Sequence, residues 1–395
     1  MKKLKDIGFL SLITMVLGLT IGLFFPKTVL YFAPVGDIFI RLIRMLIVPL
    51  ILFGIINSIS NFNSIKKLRE IGGKTMFFYI LTLFIAATIG LLIANLFFFN
   101  LSPLLSETDS STAVIPTFWS ILTNFFPQNI FESMTNSNII QIIIFAVFFG
   151  ISMILTEDKA TPLKKVIISI NTIMYKMISI IILITPLGIF ALMANTTVQY
   201  GFNIFGILLK YVLAIYTAHI CLILILYLPL IKFCSRIRIK KFFVSIYKVL
   251  IVAFTTSSSS ATMPLTMKTL KEDLNISEDI VDLTLPLGTT INMNGAIIFL
   301  TATIIFISNV SGIHLSILQQ IGVIFYAIIV SIAVPGIPGG GLVLVTTLTA
   351  SFGLPINYIG IIGGAYRIID MGDTAVNVLG NIICTTIINS KEKTV

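Results

Sequence analysis

Apolar runs long enough to cross a lipid bilayer recur along this 395-residue chain, at 7–26, 38–60, 76–99, 138–155, 166–194, 204–232, 281–308 and 356–389. A spanning helix needs about 20 apolar residues, and inside the hydrocarbon every backbone N–H and C=O must be paired within the protein. The runs therefore predict an all-α membrane protein with eight transmembrane helices. The ~10-residue alternation of an outer-membrane barrel is absent. Composition excludes a water-facing surface, because 57% of residues are hydrophobic, 11% are charged and mean hydropathy is +1.06. Lys2, Lys3 and Lys5 precede the first run as in a signal peptide. No small-residue cleavage site follows Phe24, Phe25 and Pro26, so the run is read as a retained first helix.

A net charge of +10 would suit nucleic acid, but the placement of the charge argues against it. Lys and Arg cluster at 2–5, 66–74, 159–165 and 232–248, and none occurs from Thr75 to Asp158, where Glu107 and Asp109 lie. This is the positive-inside pattern, and it predicts both termini in the cytoplasm with no nucleic-acid partner. The Ile- and Lys-rich composition fits a bacterial inner membrane. Cys221, Cys234 and Cys384 have neither metal-ligand spacing nor a disulfide framework.

Two stretches do not read as simple spans. Only 19 residues separate Lys248 from Lys268, and both lysines belong on the cytoplasmic side. Between them runs Thr255-Thr256-Ser257-Ser258-Ser259-Ser260-Ala261-Thr262, followed by Met263-Pro264. A polar turn between apolar arms predicts a re-entrant helical hairpin over 242–280, buried in protein or lining a cavity. A second is predicted over 315–355, with its tip at Pro335 to Gly341 and Pro355 closing the second arm. One helix, 281–308, crosses between them, so the hairpins enter from opposite sides. Opposed broken helices are how secondary transporters build a midplane site, and half-helix N-termini offer N–H groups to a carboxylate. The bland alternative is two Gly/Ser-softened spans.

Within the intervening helix, Gly288-Thr289-Thr290-Ile291-Asn292-Met293-Asn294-Gly295 predicts local unwinding. In the last helix (356–390), Asp370, Asp373, Thr374, Asn377 and Asn381 fall on one face. An intramembrane aspartate costs about 2.5–3.5 kcal/mol even on lenient scales, so two on one stripe imply a role. Arg367, three residues before Asp370, offers an internal ion pair that neutralises one of them.

The serine-rich run 253–264 resembles the first hairpin of the dicarboxylate/amino acid:cation symporters. Asn292 to Gly295 resembles that family's NMDGT motif, Gly336 to Leu342 its second hairpin tip, and Asp370 to Asn381 its DMGRTxVNVxGD signature. The likeness extends to Val35 through Pro49 and so covers nearly the whole chain. It implies a homotrimer in lipid, moving as an elevator. Scaffold helices one and two (1–70) and four and five (with the external loop, 101–200) would stay still. Helix three (71–100) and residues 201–395 would form the transport domain: the sixth helix, hairpin 242–280, helix 281–308, hairpin 315–355 and the last helix. The resemblance further implies that Ser258, Ser259, Ser260 and Asn377 hold the substrate α-carboxylate, with Thr374 nearby and Gly339 also at the substrate. Asp370 would hold an amino group, with Asp373 at the substrate side chain. Gly336, Ile337, Pro338, Gly339, Gly340 and Gly341 would be the gate. No enzyme activity and no bound cofactor are implied, only sodium or a proton as coupling ion.

The departures redirect the expectation. Asp373 stands where acidic-substrate members carry the Arg that clamps a side-chain carboxylate. Asn294 and Asn381 replace two aspartates at sodium sites that also draw on Tyr79, Thr82, Gly288, Asn292 and Asn377, and Leu83 replaces a serine. Hard cations favour charged oxygens, so both sites should be weakened. A further site at Thr290, Met293, Ser331, Ile332 and Val334 uses mainly backbone carbonyls. The expectation is an amino-acid transporter for arginine, lysine or ornithine, with reduced or absent sodium coupling. The alternative is sodium- or proton-coupled symport of an acidic or neutral amino acid, with Arg367 as the clamp. A serine hydrolase lacks a base, since neither His219 nor His314 sits in a motif.

Overall fold

Apolar length and the positions of proline decide where this chain is helical. The computed structural model describes residues 2–60, 73–98, 126–136, 138–200, 203–331 and 340–392. Among them the regular structure is helical throughout: α1 Lys2–Phe24, α2 Pro26–Ser60, α3 Gly73–Phe98, α4 Ile130–Thr135, α5 Ile139–Leu155, α6 Thr161–Leu183, α7 Thr185–Tyr200 and α8 Asn203–Leu222. The second half continues with α9 Leu228–Cys234, α10 Ile239–Thr256, α11 Ser259–Glu272, α12 Glu278–Ile291, α13 Asn294–Val310, α14 Ile317–Ser331, α15 Gly340–Ser351 and α16 Ile359–Glu392.

Several boundaries differ from the sequence reading. The run 166–194 is not one helix. It breaks at Ile184, whose carbonyl accepts from Leu187 and Gly188, because Pro186 has no N–H with which to continue the ladder. The second helix begins earlier than 38, at Pro26, where a proline needs no helical hydrogen bond. Between α8 and α9, Ile223–Tyr227 forms a π turn ahead of Pro229, which likewise lacks a donor. Of the polar segment 101–137, between the third and fourth apolar runs, residues 101–125 and 137 lie outside the described residues, and the described end carries α4.

Among the described residues, four helices are long and apolar enough to cross a membrane: Gly73–Phe98, Gly206–Cys234, Glu278–Val310 and Ile359–Ser390. Their burial separates them. The windows in Glu278–Val310 and Ile359–Ser390 are 83% and 89% buried, against 39% for the other two. The helices that carry the polar motifs are therefore wrapped by protein, as unpaired polar groups in a membrane require. α16 packs on α7, α8, α10, α12, α13 and α15, and α13 packs on α3, α14 and α16. α1 and α2 pack chiefly on α7, with α5 and α6 also against α2.

Close approach needs glycine at Gly295. A Cβ there would overlap the Cα and carbonyl of Asp373, so bare backbone is what lets α13 touch α16.

Candidate functional site

The serine run folds as two helices joined by a two-residue turn. Ser257 ends α10 in the left-handed region (φ 50°), and its N–H bonds the Ala253 carbonyl. Ser258 then caps α11, its Oγ accepting from the Ala261 N–H at 3.2 Å. Ser258 and Ser259 are buried, while Ser260 is exposed. The Ser257 and Ser259 hydroxyls are buried without a hydrogen-bond partner. α11 packs on α12 and α16, the helices that carry the other motifs.

The break expected near residue 292 is present. α12 stops at Ile291 and α13 starts at Asn294, with Asn292 and Met293 non-helical (φ −87°, ψ 71° and φ −97°, ψ 56°). The freed polar groups are taken up by a buried amide cluster. Asn292 Nδ2 donates to Asn381 Oδ1 at 2.9 Å, and Asn294 Nδ2 donates to Asn292 Oδ1 at 2.8 Å and to Tyr227 Oη at 2.7 Å. Thr82 Oγ1 donates to Asn292 Oδ1 at 3.1 Å, and Tyr79 Oη donates to the Thr284 carbonyl at 2.9 Å. Gly288 and Gly380 leave room for these groups, since a Cβ at either would press on Asn381 and Tyr79 or on Tyr227 and Asn294. The π turn brings Tyr227 into this cluster. No sequence signal marked that residue. Asn294 Oδ1 remains buried without a partner. The cluster gathers Tyr79, Thr82, Gly288, Asn292, Asn294 and Asn381 in one place, and it is closed by amide donors rather than carboxylates. Asn377 is engaged separately, its Oδ1 accepting from the Gly295 N–H at 2.7 Å.

The third sodium candidate is only partly described. Thr290 Oγ1 donates to the Leu287 carbonyl at 2.9 Å and Ser331 Oγ to the Ile328 carbonyl at 2.9 Å. Ile332 and Val334 lie outside the described residues, as do Gly336, Ile337, Pro338 and Gly339 of the expected gate. Gly340 begins α15. The Gly341 N–H donates to Tyr366 Oη at 2.9 Å, and that hydroxyl donates to Asp370 Oδ1 at 3.0 Å. Tyr366 packs against Phe299 with its ring tilted by 57°, ring centroids 5.1 Å apart. Arg367 Nη1 is 3.9 Å from Asp370 Oδ2, beyond hydrogen-bond range, and its Nε is buried without a partner.

The two aspartates do not share one environment. Three residues on an α-helix turn by about 300°, so Asp370 and Asp373 point about 60° apart. Asp370 meets Tyr366 and Arg367 beside α15. Asp373 meets α8 instead, with His219 Nε2 3.0 Å from its Oδ1, both side chains under 5% exposed. Thr374 is buried beside it. Sequence reasoning passed over His219 because it sits in no motif. The signal was available, for an ionisable residue inside an apolar span implies a partner just as the aspartates did.

Tyr366→Phe tests the Gly341–Tyr366–Asp370 chain. The ring keeps its contact with Phe299, but the hydroxyl bonds to the Gly341 N–H and to Asp370 Oδ1 are lost. Hydrogen bonds to charged groups contribute about 1.5–3 kcal/mol, so substrate affinity is expected to fall about tenfold or more by isothermal titration. Unchanged affinity would detach Tyr366 from the site.

A family model described as the sodium:dicarboxylate symporter family matches residues 7–391. The chain is 30% identical to the proton/sodium-glutamate symport protein of Geobacillus stearothermophilus, over 96% of this chain and 93% of that protein. It is 29% identical to the proton/glutamate-aspartate symporter of Bacillus subtilis (strain 168), over 100% and 96% respectively. It is also 29% identical to the C4-dicarboxylate transport protein of Cupriavidus taiwanensis, over 95% and 89%.

Proposed function

Because the chain belongs to the sodium:dicarboxylate symporter family, and is thus a transporter and not an enzyme, we propose that it carries a small anionic solute across a bacterial inner membrane in symport with a cation. The solute is an acidic amino acid or a C4-dicarboxylate, and the coupling cation is a proton rather than sodium. The expectation of arginine, lysine or ornithine finds no support in the relatives, whose names specify glutamate, aspartate or C4-dicarboxylate.

One observation carries the reading. A cationic cargo was expected because Asp373 seemed to present a negative charge to it, yet Asp373 is engaged by His219. What remains on that side of α16 is Asp370 with Arg367 beside it, one charge of each sign. In this account the α11 N-terminus and Asn377 receive one carboxylate, and Arg367, with donors to spare, receives a second. Asp370 receives an amino group when the solute has one. The amide cluster of Asn292, Asn294 and Asn381 supports weak sodium dependence, since neutral amide oxygens are poor ligands for a hard cation and those of Asn292 and Asn381 already accept N–H donors.

The remaining architecture follows the family expectation: eight spans with two re-entrant hairpins, a trimer, both termini cytoplasmic, and α3 with α8–α16 moving against the rest. The test is ligand-dependent thermal stability of the purified protein. L-glutamate, L-aspartate or succinate is expected to raise the apparent Tm equally in NaCl and KCl, and L-arginine to leave it unchanged. A shift with arginine alone would refute the proposal.

A further inference from the structure

We propose that His219 sets the charge selectivity of this transporter by holding the Asp373 carboxylate in the seam between α8, α13 and α16, away from the solute. The inference rests on the acidic-solute reading above and names the residue that makes such a solute acceptable.

The seam is built around this contact. His219 Nε2 approaches Asp373 Oδ1 to 3.0 Å, a close contact without the alignment of a hydrogen bond, and neither atom, nor His219 Nδ1, has a hydrogen-bond partner. From α13 the seam receives Gly295, whose missing side chain lets the Asp373 backbone come close and whose own backbone also faces the His219 ring. From α8 come two tyrosines, and both are occupied. Tyr211 pairs with Thr303 Oγ1 at 2.6 Å, and Tyr216 donates to the Ile368 carbonyl at 2.7 Å while standing edge-on to the His219 ring. Lys210 lies nine residues from His219, about 13 Å along the helix. On α16 itself, Arg367 and Tyr366 belong to Asp370. Among the described residues, His219 is thus the group placed to compensate Asp373.

A buried carboxylate deprived of its partner must find another or leave the seam. Asp373 lies one turn from Asp370, so a released side chain adds a second negative charge to a site holding one guanidinium. An acidic solute then meets net repulsion. Holding Asp373 against an imidazole keeps the solute side balanced.

The experiment measures uptake of labelled L-aspartate into proteoliposomes by the full chain and four variants, each checked for yield and monodispersity. His219→Leu is expected to lose uptake by about 30-fold or more, the scale of an uncompensated buried charge. His219→Gln, which keeps an N–H donor, should stay within about fivefold of the parent, because one hydrogen bond remains possible. Asp373→Asn should remain within about threefold, since the carboxylate is not needed at the solute. The double variant His219→Leu with Asp373→Asn should regain most of the lost uptake. A double variant as poor as His219→Leu, a fully active His219→Leu, or an inactive Asp373→Asn would each overturn the proposal. The last result would make the carboxylate itself a working group, for example a proton carrier. Failure of the underlying reading looks different, for the unmodified chain would then take up arginine and not aspartate.

Discussion

Gly295→Ala is expected to be among the most destabilising single substitutions in this protein, costing roughly 3 kcal/mol or more. Overpacking of a core usually costs about 1–3 kcal/mol because side chains can turn aside. Here the added Cβ meets the backbone of Asp373, which cannot turn aside without shifting α16. Any such shift strains the Gly295 N–H bond to Asn377 (2.7 Å) and the Asp373–His219 contact (3.0 Å) together. The substitution should therefore lower the apparent Tm by several degrees and reduce solute binding with it. Gly206→Ala is the control, since nothing lies within 4 Å of a Cβ there. That change should be neutral or stabilise by up to about 1 kcal/mol, because alanine is the better helix former. Equal stability of the two variants would contradict the packing described for α13 and α16.

Asn294→Asp combined with Asn381→Asp is expected to create a dependence on sodium stronger than that of the parent. The two asparagines meet through Asn292 in one buried cluster, with Thr82, Tyr79 and Tyr227 around it. Asn294→Asp removes the N–H bonds to Asn292 and Tyr227, and the two carboxylates together leave buried charges, at a cost of several kcal/mol. A hard cation bound among those oxygens offsets that cost. At a sodium concentration about 100 times Kd, linkage returns about 2.7 kcal/mol of stability. In potassium the double variant should melt well below the parent, and in sodium it should recover. The parent should melt alike in both salts. A parent stabilised by sodium would mean that the amide cluster, or the backbone-lined candidate near Thr290 and Ser331, still binds the ion.

Much of this was legible in the sequence because membranes restrict what polar residues can do. Nineteen residues between two lysines were too few for two spans, and the structure has α10 and α11 joined at Ser257 and Ser258. The pair of asparagines around Met293 broke their helix as expected. Less legible were breaks caused by a single missing donor, such as Pro186 within the run 166–194. Least legible was the neighbour each polar residue would meet. Periodicity placed Asp370 and Asp373 on one stripe, but α16 is buried on nearly every side, so a 60° difference sends them to different helices. The cationic expectation rested on that stripe and finds no support in the relatives, which are named for glutamate, aspartate or C4-dicarboxylate. His219 carried the needed signal, yet spacing within one helix cannot reveal a partner on another.

The central claim is tested most directly by uptake into sodium-free proteoliposomes with an inward pH gradient. The account predicts accumulation of labelled L-aspartate or succinate, competition by unlabelled L-glutamate, no effect of L-arginine, and loss of accumulation when the gradient is collapsed. Accumulation of labelled L-arginine, with no uptake of or competition by the acids, would contradict it.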